Sequence, residues 1–166
     1  MPKLQFYNNV KTVFEQEKFL DISKPADKRS LFRLRASSHR LNVEVGRYSK
    51  PPIPRSERIC KYCIDNHNLK FADDENHVIE SCPFYNDERH DFVEKLSKII
   101  GPFDTAGLLA EGLGKVFMST TDMRICRAQS AYICKIFIKH KELEDKPPIK
   151  TKNGTSHTVR FLGPIL

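Results

Sequence analysis

The chain has 166 residues and a mass of 19.2 kDa, enough for one domain or one small domain with tails. Hydrophobic residues make up 39% and no apolar run exceeds the four residues Ala131 to Cys134, which excludes a transmembrane helix of about 20 residues and leaves a modest core. The net charge is +7, and Met1-Pro2-Lys3-Leu4-Gln5 lacks the apolar run of a secretory signal, so the expected location is intracellular, in nucleus or cytoplasm, where thiols stay reduced.

In chain order, Phe6, Val10, Val13, Phe14 and Phe19 or Leu20 recur at helical spacing, so an amphipathic helix is predicted over 5–20. Asp21, Ser23 and Pro25 break it. A second helix is predicted over about 27–41, starting at Ala26 or Asp27, with Leu31, Leu34, Ser38 and Leu41 facing inward and Arg33, Arg35 and Arg40 on the flanks. Asn42 to Val45 alternates like a short extended piece, and Gly46 allows a turn. Three prolines within 51–54 keep 49–56 extended. Asp87 is the expected cap of a helix over about 87–100, ended by Gly101-Pro102. Three glycines weaken any helix over 104–119. Asp122 is the expected cap of a last helix reaching about 142. The expected organisation is therefore mainly α. It divides into an N-terminal helix and linker (1–26), a basic helix and extended arm (27–59), a cysteine segment (60–85), C-terminal helices (86–142) and a flexible tail (143–166).

The charge is concentrated. Residues 28–61 hold ten bases against Glu44 and Glu57, and arginine outnumbers lysine there seven to three. Residues 64–94 hold nine acids against Lys70 and Arg89. Such a basic segment is a candidate footprint for a polyanion, and arginine suits bidentate phosphate contact. A solvated arginine-rich face paired with the acidic neighbour is the alternative.

Cys60, Cys63, His77 and Cys82 follow the spacing C-x2-C-x13-H-x4-C. Two thiolates two residues apart clasp an ion from a tight turn, and the later His and Cys close a tetrahedron. Soft sulfur with one imidazole favours Zn2+, and four protein ligands leave no open position for water, so the expected role is structural. A redox C-x-x-C would need a strand–turn–helix setting, against which Pro51 to Pro54 argue. His67 and His90 are competing imidazoles. Cys126 and Cys134, eight apart on the last helix, read as buried thiols. Asp73-Asp74-Glu75 reads as a solvated acidic run. Ser37, Ser38 and His39 lack a G-x-S-x-G elbow, and no phosphate-binding loop is present, so no catalytic constellation is expected.

The series Arg33-Leu34-Arg35-Ala36-Ser37-Ser38-His39-Arg40-Leu41, Glu44-Val45-Gly46-Arg47-Tyr48, Arg58-Ile59-Cys60, Cys63, Glu75-Asn76-His77 and Cys82-Pro83-Phe84-Tyr85 resembles the C-terminal zinc-binding region of reverse transcriptases from LINE-type (non-LTR) retrotransposons. The resemblance covers about 30–85 as five short motifs in the same order. It implies a domain that helps a parent polymerase hold template RNA or target DNA. The polymerase motif Y-x-D-D is absent, so the expectation is a non-catalytic, detached tail of that kind: a domesticated gene, a relic or a truncated gene product.

Two functional expectations result. In one, a single structural Zn2+ fixes a module that binds RNA or DNA through 28–61, with Arg33, Arg35, Arg40, Arg47, Arg55, Arg58 and Lys61 on phosphates and Tyr48 and Tyr62 stacking on bases. In the other, the zinc domain mediates protein–protein interaction, its arginines paired with acids and its apolar helix faces meeting a polymerase or other protein. Neither involves a membrane.

Overall fold

The computed structural model describes residues 16–119 and 122–145. They are mainly helical. No strand forms among them, and one isolated antiparallel bridge joins Ile59 to Ala72. Most of the helix predicted over 5–20 lies outside the described residues. Its end is a single 3-10 turn, Lys18–Asp21, which buries Phe19.

Helix α1 (Pro25–Arg35) begins before Asp27 because Pro25 opens it, with φ preset and no amide hydrogen to satisfy. It also ends well short of 41. Ser37 adopts a left-handed φ of 44°, and Ser38 N–H returns to the Arg33 carbonyl at 2.8 Å, closing the last turn. This stop rotates the expected faces. Leu31, Leu34 and Leu41 are buried as predicted, but Ser38 is exposed and Arg35 is buried.

The alternating 42–45 segment is one helical turn, α2 (Asn42–Val45), not an extended piece. Asp73 accounts for this: its carboxylate takes the Asn42 N–H at 2.8 Å and its carbonyl takes the Val43 N–H at 3.1 Å. The proline segment is a folded-back loop with a 3-10 turn at Arg55–Glu57. Ile53 N–H donates to the Gly46 carbonyl, so the loop closes on the end of α2.

Helix α3 (Lys61–His67) ends at Asn68, whose φ is 55°. A π-helical turn (His77–Ser81) and a 3-10 turn (Pro83–Tyr85) lead into α4 (Asn86–Ile100). Asp87 does not cap α4 but stands with Glu88 in its first turn, where acids suit the helix dipole. Residues 102–119 form two helices, α5 (Pro102–Ala110) and α6 (Leu113–Ser119), separated at Gly112 with φ 95°. Helix α7 (Met123–Asp145) is capped by Asp122, whose carboxylate accepts the Arg124 N–H at 2.7 Å. It runs past 142, so 143–145 belong to it and not to a tail, and Leu143 is buried. The rest of the predicted tail lies outside the described residues.

Helix α7 is the spine. It packs on α1 and on α4, and its Tyr132 stacks on Phe92 of α4, with ring centroids 4.9 Å apart. Cys60, Cys63 and Cys82 belong to the same continuous apolar core as Leu31, Phe92 and Ile133.

Candidate metal centre

Two antiparallel segments open the cysteine turn. Cys60 N–H donates to the Phe71 carbonyl, Asp73 N–H donates to the Arg58 carbonyl, and Ile59 pairs with Ala72. Cys60 then stands at the start of α3 and Cys63 one turn along it. From the other side, Asp74 caps the π turn by accepting the His77 N–H at 3.0 Å. Cys82 N–H donates to the His77 carbonyl five residues back, so the wider turn sets His77 and Cys82 over the same spot. Arg89 of α4 clamps this turn, donating to the Ile79 carbonyl at 2.8 Å and the Cys82 carbonyl at 3.0 Å.

The result is a closed cluster. The ligand atoms of Cys60, Cys63, His77 and Cys82 all lie within 4.8 Å of one another, and all four residues are buried. Sγ of Cys82 lies 3.8 Å from that of Cys60 and 3.9 Å from that of Cys63, and Cys63 Sγ lies 3.3 Å from His77 Nε2. A tetrahedral ion about 2.3 Å from each sulfur requires sulfur–sulfur edges of about 3.8 Å. The cluster is therefore sized to hold a metal ion. His77 Nδ1 donates to Ser81 Oγ at 3.1 Å, which frees Nε2 to face the sulfurs, and Phe71 stacks on its ring. Hydrogen bonds among the three sulfurs act in both directions, and together with burial and the charge of neighbouring thiolates they leave each thiol pushed up to about 12, while burial and then Arg89 hold His77 down at about 4. A cation would favour the thiolates and the neutral imidazole together. His67 and His90 are exposed and stand outside the cluster. Cys126 is buried, whereas Cys134 is only half-buried.

The side chains assigned to nucleic acid divide into two groups. Arg35 is 3% exposed. It donates to Glu17 and to the Phe117 carbonyl, and its guanidinium lies over the Phe19 ring, so it faces the interior and cannot reach a phosphate. Arg58 donates to the Val43 and Ile53 carbonyls, both at 2.8 Å, and braces the loop. Lys61 reaches the Leu143 carbonyl near the end of α7. Arg33, Arg40 and Tyr48 are exposed, Tyr48 at 66%, while Arg47 and Arg55 are half-buried. Arg47 pairs with Glu44, Arg55 with Asp74, and Arg40 with Glu144. Tyr62 is half-buried and packed on Phe84, with centroids 4.8 Å apart.

The acidic run is not solvated. Asp73 is 1% exposed and Glu75 8% exposed. Glu75 accepts from Ser37 at 2.9 Å and bonds His39 Nε2 at 2.8 Å. Asp73 braces α2 and lies 3.5 Å from His140 Nε2, whose Nδ1 bonds the Tyr85 hydroxyl at 2.8 Å. The motifs that carry the resemblance thus meet in space: Ser37, His39 and Glu75 form one buried trio, Gly46 packs over Arg58, and Tyr85 stands beside the cluster. The signal for this role was present in the sequence, since His39, Glu75 and Tyr85 all lie within those motifs.

Comparisons with family models, with curated proteins and with solved structures return no match.

Proposed function

We propose that the chain is a zinc-stabilised module that binds RNA or DNA and is non-catalytic by itself, akin to the C-terminal zinc-binding region of LINE-type reverse transcriptases, acting inside the cell in nucleus or cytoplasm. The observation that carries it is the position of the exposed basic loop. Exposed Tyr48 and half-buried Arg47 and Arg55 lie on a segment that Gly46, Arg58 and the 58–60/71–73 pairing tie directly to the Cys60 turn. Zinc is the ion that suits three sulfurs, one imidazole and no open position. Fixing a basic, aromatic-bearing loop before it meets a strand reduces the ordering cost of binding.

Two measurements test this. Metal analysis of protein purified without chelator should give one zinc per chain, lost in Cys60→Ser and His77→Ala. Binding of RNA and DNA should weaken with salt, each neutralised phosphate adding about −0.7 to −0.9 to the log–log slope. Arg40→Ala, Arg47→Ala and Arg55→Ala should lower that slope with folding intact. A flat salt response removes the reading. In that event the ion pairs of Arg40, Arg47 and Arg55, with Phe32 and Ile138 more than half exposed, favour a protein-binding zinc domain.

A further inference from the structure

A cleft of about 460 Å³ opens between α1, the 38–40 connection and α7. Its charged walls are Arg33 and Arg40 from the first half of the chain and Lys141 from α7, against the single carboxylate of Glu144. Arg33 and Lys141 have no ion pair among the described residues. Arg40 has only a 3.7 Å contact to Glu144, with its side chain 77% exposed. Phe137 and Ile138 supply an apolar wall, and Ile138 is 59% exposed.

A second observation points to a ligand. His140 also lines the cleft and is 4% exposed. The Tyr85 hydroxyl and the His140 Nδ1 share a hydrogen bond of 2.8 Å. His140 Nε2 makes no well-aligned hydrogen bond: the carboxylate oxygens of Asp73 and Glu144 stand 3.5 and 3.9 Å away, and the Arg40 backbone lies beside the ring. A buried ring nitrogen without a well-aligned partner costs free energy that a polar group of a ligand would recover. Excess positive charge and an apolar wall, bordered by an under-satisfied imidazole, within one cavity of mononucleotide size describe a phosphate-bearing, partly apolar ligand.

We propose that this cleft seats one unpaired nucleotide of a single nucleic-acid strand, its phosphate held by Arg33, Arg40 and Lys141 and its base against Phe137 and Ile138. The proposal rests on the nucleic-acid reading above and extends it to α7, which the charge pattern of 28–61 does not include. A duplex cannot splay a base into such a cleft without unpairing it, so single strands are the favoured partner.

Cys134 lines the same cleft and is half-buried, whereas Cys60, Cys63, Cys82 and Cys126 are buried. Its alkylation by N-ethylmaleimide, mapped by peptide mass spectrometry on the zinc-loaded full chain, therefore reports occupancy. Short single-stranded oligouridylate and oligothymidylate should slow Cys134 alkylation, while a duplex of the same length should bind without slowing it. Arg33→Ala with Lys141→Ala should weaken single-strand binding by about tenfold or more and lower the salt slope by about one for each phosphate no longer neutralised. Both side chains point outward, so the double variant should melt like the wild type. Salt-dependent binding with Cys134 unprotected, or with the double variant unimpaired, would overturn the cleft and leave the proposed function standing. Protection by inorganic phosphate or uridine monophosphate but by no strand would overturn it in favour of a small-anion site. Absence of binding by any oligonucleotide would remove the proposed function as well.

Discussion

Arg35 shows why a residue's charge does not fix its role. It shares a motif with Arg33, two positions away, yet the helical turn sends one outward and one into the core. Its guanidinium satisfies Glu17 and the Phe117 carbonyl and covers Phe19. Arg35→Ala should therefore cost stability, about 2–4 kcal/mol, by stranding those partners, and should show as a lowered Tm. Reduced nucleic-acid affinity with an unchanged Tm would contradict this. His140 makes a second case. Burial, and then the nearby His39, hold it at about 4, below its ordinary 6.5. A histidine with a depressed native pKa contributes stability above about 6.5 that is lost as pH falls toward about 4. Asp73 works the other way: burial raises it from 3.8 to about 7, so its contribution fades as pH rises through that range. In His140→Gln the His140 contribution is gone while the other titrations, Asp73 and His77 among them, remain. The Tm of the variant relative to wild type should accordingly rise as pH falls from about 6.5 to about 4. A constant difference would refute the assignment. Comparing variant with wild type at each pH removes those effects of acid that the two share.

At the scale of elements, α4 and α7 are legible in the sequence because their apolar stripes run long enough to set a period, and Asp122 stands where a cap is needed. The ends and the short pieces are not. Helix α1 stops at a left-handed serine, which no composition rule singles out, and α2 forms because Asp73, distant in sequence, takes its first amides. The acidic run reads as solvated in one dimension because its partners, Asn42, Ser37 and His39, come from another segment. The four metal-ligand candidates are legible because ligand spacing is local, while the cleft is not, because Arg33 and Lys141 come from opposite ends of the fold. The proline loop yields the sharpest element-level prediction. A Cβ at Gly46 would stand 2.8 Å from Arg58 Cγ and 3.0 Å from its Cδ. Those atoms are the stem of the side chain that holds Val43 and Ile53, so it cannot yield without releasing them. Gly46→Ala should cost about 1–3 kcal/mol and expose 46–58 to limited proteolysis. A variant that resists protease as the wild type does would show the loop is held otherwise.

On the scale of the whole molecule, the cluster is not an appended finger. Its cysteines lie in the same core as α1, α4 and α7, and three separate ties run outward from the ligand turn. Arg89 joins it to α4, the Tyr132 hydroxyl donates to the Ile79 carbonyl from α7, and Tyr85 reaches His140 further along α7. The ligand spacing predicts that chelation unfolds at least 46–90. The packing extends that prediction. If the proposed zinc is bound, its removal would leave three thiols and an imidazole buried without their shared partner, on a turn that anchors the spine. Structural zinc in finger peptides binds with about 10–16 kcal/mol, comparable to the total stability of a domain, so its loss would be felt across the shared core. Chelation should therefore accelerate amide hydrogen exchange in the middle of α7, around Tyr132 and Ile136, along with the ligand turn itself. The Arg89→Ala variant separates the routes: with its clamp gone, chelation should still reach α7 through Tyr132 and Tyr85 but should spread less to α4. Exchange that quickens only within 58–85, with α7 unchanged, would mean that the helical spine folds without the metal centre and that the cluster is an independent unit.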